Sequence, residues 1–113
     1  MVDFNALVAF DERDLDQNGD PMGTWSEAFR CRASVDYQRG SEAAISARLE
    51  GRQPAVIVIR DNPTTRAVTV AWRARIIEGR RVRAGEEFNI QSAAPAREMG
   101  FLNLLGVSGG ATG

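Results

Sequence analysis

Trp25-Ser26-Glu27-Ala28-Phe29-Arg30-Cys31-Arg32-Ala33-Ser34-Val35-Asp36-Tyr37 is the stretch whose reading decides the architecture. Trp25, Phe29, Cys31, Ala33, Val35 and Tyr37 fall at odd positions, with Glu27 the exception, while Ser26, Arg30, Arg32, Ser34 and Asp36 lie between them. A period of two sets one row of side chains against a core and the other in water, as in a half-buried β-strand. So long a strand bends or bulges across a small barrel rather than running flat. Cys31 stands in the apolar row, and its neighbours Arg30 and Arg32 point to the opposite face. It therefore reads as a buried, inert thiol rather than an activated one.

Upstream, the mostly apolar run Phe4 to Phe10 reads as a first short strand that ends at the charged run Asp11-Glu12-Arg13-Asp14. The polar stretch from Asp14 to Gly23 separates it from the long strand, and its Asn18-Gly19 pair and Pro21 are strong turn formers. Asp14-x-Asp16-x-Asn18-Gly19-Asp20 imitates the start of an EF-hand calcium loop. Position twelve of that loop, which needs a bidentate glutamate, is Trp25, and position eight is Pro21. A polar hairpin loop is the better reading.

Downstream the period changes. Residues 40 to 51 read as a short helix with Ser41 as its cap, Glu42 at the positive N-terminal end and Gly51 at the left-handed C′ position. Ile45 and Leu49 form one narrow apolar stripe, and a helix this short must lean on the sheet or on a neighbouring subunit. Ala55-Val56-Ile57-Val58-Ile59 is apolar on both faces, which predicts a strand covered on both sides. Val68 to Trp72 and Arg73 to Ile77 read as strand material with a break near Trp72. Turns are expected at 78–81 and again at 84–86, a strand at Glu87 to Gln91, a connector at Ala93 to Ala96 and a last strand from Phe101 to Val107. The sum is an all-β (mainly β) chain: six or seven short antiparallel strands in a small barrel or sandwich, with one inserted helix. The expected organisation is one domain over 1–107 and a mobile Gly-rich tail over 108–113.

The chain has 113 residues, 14 basic and 15 acidic, for a formal net charge of −1. This is the length of one domain, and near-balance of charge argues against a dedicated duplex-DNA binder. Every basic residue is arginine, which a GC-rich genome favouring arginine codons accounts for, and the planar multi-donor fork of arginine also suits subunit interfaces. With no histidine and one cysteine, histidine-based triads, histidine-ligated zinc, an internal disulfide and CxxC sites are excluded. No glycine-rich phosphate loop opens a helix, and no carboxylate pair lies in a catalytic context, so neither an enzyme nor a cofactor or metal is expected. The acidic N-terminal stretch is unlike a signal peptide, and no run is long enough to span a membrane. A soluble protein made in the cytoplasm is expected.

Two arginine groups bear on binding. Arg80, Arg81 and Arg83 could touch phosphate, although charge on a hairpin edge also discourages stray strand pairing. Arg30, Arg32, Arg73 and Arg75, with exposed aromatics, would serve a monomeric OB-like module that binds single-stranded nucleic acid.

The order of motifs adds a resemblance. The N-G-D-P-M-G loop leads to Thr24-Trp25, then Arg32-Ala33-Ser34-Val35, Gln38-Arg39-Gly40-Ser41-Glu42, a helix, Val56-Ile57-Val58-Ile59-Arg60, Trp72-Arg73 and Gly85-Glu86-Glu87-Phe88-Asn89-Ile90. Over about residues 10–107 this resembles the head–tail joining (head-closure, or stopper) proteins of long-tailed bacteriophages and gene transfer agents. The resemblance implies a small β-barrel with a helix or long loop inserted between its second and third strands. It implies a dodecameric ring between the portal–adaptor assembly and the tail, located in the virion or phage-like particle. It also implies transient, non-specific contact with packaged double-stranded DNA, the inserted segment, here about 39–54, facing the channel. An adaptor or tail-terminator ring is the nearest alternative. The candidate channel-facing or subunit-interface residues are Arg39, Gly40, Ser41, Glu42, Arg48, Arg52, Arg80 and Arg81.

Overall fold

The computed structural model describes residues 2–109 and closes six antiparallel strands into a barrel. They are β1 (Ala6–Leu15), β2 (Pro21–Tyr37), β3 (Gln53–Arg60), β4 (Arg73–Gly79), β5 (Glu87–Pro95) and β6 (Phe101–Ser108), with helix α1 (Glu42–Leu49) between β2 and β3. Around the barrel the order is β1-β2-β3-β6-β5-β4, and β4 pairs back onto β1. Closure is confined to the body of the barrel: β2 meets β3 only from Ser34 to Tyr37, so its stretch from Pro21 to Ala33 is paired on one side alone, to β1. Inside, Val8, Phe10, Val35, Ile57, Ile59, Ile76, Phe88, Ile90 and Leu104 form one buried cluster. Each such side chain contributes roughly 1.5–3 kcal/mol by leaving water.

The alternation in β2 holds from Phe29 to Tyr37 and then shifts. Phe10 faces Phe29, but the next pair is Asp11 with Glu27, so Ala28 is the extra residue of a bulge. A one-residue slip exchanges the two faces. Glu27 therefore joins Asp11 on the outer wall, which accounts for the exception in the pattern. Trp25 goes with it, opposite Arg13 and not in the core, where the guanidinium carbons of Arg13 and Arg73 lie 4.6 and 4.7 Å from its ring centroid.

Four other expectations change. β1 does not stop at the charged run but carries it to Leu15, because Asp11 finds guanidinium partners on β4. Val68 to Trp72 is not strand. Asn62 accepts hydrogen bonds from the Thr64 and Thr65 amides, at 2.9 and 3.0 Å, and a 3₁₀ turn forms at Thr65–Ala67. These side-chain bonds compete with a sheet ladder, and Val68 instead tucks its side chain into the core. The two turns expected between β4 and β5 are one excursion, with Arg81 at φ 59° and Gly85 at φ 85°. The expected connector at 93–96 is mostly strand, since β5 runs to Pro95 opposite Leu102.

The strand with two apolar faces, β3, buries Ala55, Ile57 and Ile59 fully but leaves Val56 and Val58 half-buried, so the outer coverage expected of it is only partial within one chain. At the C-terminus, Ser108 belongs to β6 and its hydroxyl donates to Glu86 at 2.7 Å. Of the expected mobile tail, residues 110–113 lie outside the described residues.

Candidate interaction surface at one end of the barrel

β2 delivers the chain to one end of the barrel at Tyr37, where α1 and the β4–β5 excursion converge. The helix is built by local chemistry. The Ser41 hydroxyl accepts from the Ala44 amide at 3.1 Å, and Gly51, at φ 80°, takes the left-handed conformation after the Glu50 C-cap. Only Ala44 is buried. Ile45 is 48% and Leu49 83% exposed, so the expected apolar stripe does not lean on the barrel within one chain. The excursion is tied down from both sides. Tyr37 donates its hydroxyl proton to Glu86 and accepts from the Arg83 amide, while Asn5 donates to the Arg80 carbonyl at 2.9 Å and accepts from the Val35 amide at 2.9 Å. Burial, reinforced by the Glu86 carboxylate, pushes the Tyr37 phenol up to about 12, so it stays a neutral donor.

Two adjoining hollows open here. One, of about 530 Å³, is lined by Tyr37, Arg39, Arg48, Gly51, Arg52, Gln53, Arg81, Val82, Arg83 and Glu86. The other, of about 480 Å³, is lined by Asp3, Asn5, Val35, Asp36, Tyr37, Arg39, Arg80 and Arg81. Arg52 is ion-paired with Glu50, and Arg80 with Asp3 at 2.8 Å. Among the described residues, Arg39, Arg48, Arg81 and Arg83 make no ion pair. In a chain of net charge −1, the larger hollow thus gathers five arginines against Glu86, while Asp3 and Asp36 line the smaller one.

The outer wall holds the opposite case. Asp11, 2% exposed, accepts from Arg73 at 2.8 Å and from Arg75 at 3.2 Å. Arg75 also reaches Glu27 at 3.0 Å, Glu27 takes Arg30 at 2.9 Å, and Arg73 reaches Glu87 at 3.1 Å. Burial alone would raise the Asp11 pKa, but hydrogen bonds and charge from Arg75 and Arg73 outweigh it and hold the carboxyl below its ordinary value. Arg32 lies 3.8 Å from Glu78. All four arginines that an oligonucleotide-binding module would use already have carboxylate partners. Cys31 sits half-buried among the core's neighbours, and burial raises its thiol to about 11, consistent with an inert sulfur.

Of the candidate residues, Arg39, Arg48, Arg52, Arg80 and Arg81 are brought together around the two hollows from three segments of the chain. Ser41 and Glu42 sit at the start of α1, Ser41 as its cap; neither lines a hollow. Gly40 is exposed, with open space where a Cβ would stand, so nothing in the fold demands glycine there. Tyr37, Gln53, Val82, Arg83 and Glu86 complete the larger hollow. Arg83 was visible as part of the arginine trio, whereas the Tyr37–Glu86 tie joins residues 49 apart and leaves no local signal.

A scan against protein families matches residues 2–106 to the phage head completion protein model. This chain belongs to the phage head completion protein family. Family membership makes it a structural component of the phage particle, with a role in closing the head. Two solved structures share the architecture of this head completion protein. The virion of a native gene transfer agent particle contains a chain 26% identical, covering 98% of this chain and 100% of that one, with a TM-score of 0.65. The solution structure of protein SF1141 from Shigella flexneri 2a is 23% identical over 96% of each chain, with a TM-score of 0.66. A search of curated proteins gives no match. Among the described residues, no helix is long and apolar enough to cross a membrane.

Proposed function

We propose that this head completion protein is the head-closure (stopper) ring of a tailed phage or gene transfer agent. Twelve copies would join the portal–adaptor complex to the tail, and the segment 39–54 would narrow the channel and help retain packaged DNA. The observation that carries this reading is the combination of whole-chain family membership with a barrel whose inserted segment projects little-buried apolar residues, Ile45 and Leu49, and unpaired arginines at one end. The exposed apolar side chains gain by being covered, and the unpaired guanidiniums offer charge-assisted hydrogen bonds to a neighbour's carboxylates. Helix α1 itself carries Arg48 against Glu42, with Glu50 as its C-cap. Its contact with duplex DNA would be weak and transient, as ejection requires, because few cations mean few counterions released. The arginine end, by contrast, suits neighbouring protein, where guanidinium–carboxylate forks give geometry as well as charge.

An experiment in particles tests this. With Arg39 and Glu42 both replaced by alanine, filled heads should lose DNA or fail to join tails, while the purified variant melts within a few degrees of the parent. A core-sized loss of melting temperature with normal particles would overturn the assignment of that segment.

A further inference from the structure

The larger hollow at one end of the barrel is lined mostly by arginines, and the hairpin tip at the other carries mostly carboxylates. β2 runs 17 residues from the tip of the β1–β2 hairpin at Pro21 to the arginine end at Tyr37, in a molecule 43 Å in its longest dimension. β1 loses its β4 partner after Asp11, so the ribbon beyond it projects by roughly 15 Å at 3.3 Å per residue. Its tip carries Glu12, Asp14, Asp16 and Asp20, and among the described residues none of these makes an ion pair. The tip is also rigid. Asp16 accepts from the Asn18 and Asp20 amides at 2.8 and 2.9 Å, the Asp16 amide donates to the Asp20 carbonyl at 2.9 Å, and Thr24 donates to Asp14 at 2.7 Å. Beside the carboxylates stand Leu15, 60% exposed, and Met22, 45% exposed.

We infer that the arginine-lined hollow is the socket for the acidic β1–β2 hairpin tip of a second copy of this chain. Carboxylates of the tip meet Arg39, Arg48, Arg81 and Arg83, and Leu15 and Met22 cover the bare Ile45 and Leu49 of α1. One subunit cannot fill its own socket, because tip and socket lie at opposite ends. The contact is therefore heterologous, each copy giving one surface and receiving on the other, which builds a ring where the rotation between successive copies closes. Both sides are preorganised, the tip by its side-chain-bonded turn and the socket by Tyr37, Glu86 and Asn5, so little ordering opposes docking. The inference rests on the ring reading and names the surfaces through which that ring holds together.

Sedimentation velocity on the full chain tests it, with two charge-reversed variants, Glu12→Arg/Asp20→Arg at the tip and Arg39→Glu/Arg83→Glu at the socket. None of these side chains makes a hydrogen bond that holds the fold, and circular dichroism melts verify that both variants are folded. The parent should self-associate at low salt and dissociate toward 1 M salt, where the Debye length falls to roughly 3 Å. Each variant alone should associate about ten-fold or more weakly. Their equimolar mixture should recover association, since the acidic tip of one fits the basic socket of the other. A parent that stays monomeric at every concentration, or variants that associate like the parent, would overturn the assignment. So would a labelled DNA duplex that binds the socket of a monomeric parent with steep salt dependence. Deleting the gene separates the two levels: open heads with no effect of tip reversal would leave the closure role standing and remove the socket, whereas heads that stay closed on deletion would remove the closure role.

Discussion

The arginines of the outer wall and those of the barrel's end are the same chemical group put to different uses. Arg30, Arg73 and Arg75 stand in a lattice with Asp11, Glu27 and Glu87, where each guanidinium is matched by carboxylate oxygens. Arg39, Arg48, Arg81 and Arg83 stand around a hollow whose one acidic lining residue, Glu86, has its two oxygens already taken by Tyr37 and Ser108; Asp3 and Asp36 line the adjoining hollow. Matched charge on the wall serves the fold. Unmatched charge at the end is what the proposed docking draws on. A balanced total charge conceals this segregation, and only the pairing reveals it.

The largest expected effect lies on the wall. Asp11→Asn removes the charge that neutralises two arginines and should cost about 2–3 kcal/mol in urea unfolding, below the roughly 3–5 kcal/mol of a fully buried broken pair because both guanidiniums keep some contact with water. The same carboxylate sets an acid response. Its folded pKa lies below its unfolded one, so its stabilisation is complete above the unfolded value of about 3.9 and disappears as pH falls through the folded value. Melting temperature should therefore drop more steeply between about pH 5 and about pH 2 in the parent than in Asp11→Asn. Next in size, Ser41→Ala should cost about 1 kcal/mol by freeing the Ala44 amide at the helix N-terminus. Smallest on stability are Arg39→Ala and Arg83→Ala, each within about 0.5 kcal/mol of the parent, though both should weaken self-association. Large stability losses at the end, or none on the wall, would erase the contrast.

How much of this was legible in the sequence follows from how local each cause is. The alternation of Phe29 to Tyr37, the Ser41 cap and the Gly51 terminus depend on neighbours in the chain, and all appear in the structure. The bulge at Ala28 depends on how β1 pairs with β2, so a period of two by itself puts Trp25 on the wrong face. Val68 to Trp72 has strand-like residues, but its amides are taken locally, Val68 by the Thr65 carbonyl, Ala71 by the Thr69 hydroxyl and Trp72 by the Thr69 carbonyl. The wall's ion pairs join residues 62 and 64 positions apart, beyond any local pattern. The candidate arginines at 39, 48, 52, 80 and 81 came from a family resemblance and a charge cluster. Their convergence on one pair of hollows follows from closure of the barrel.

The most direct measurement uses particles in which the head completion protein carries Arg39→Glu and Arg83→Glu, scored by electron microscopy for DNA-filled heads joined to tails. If the arginine end is an assembly surface, filled and tailed particles should fall sharply while the purified variant melts like the parent. Normal numbers of filled, tailed particles would contradict it.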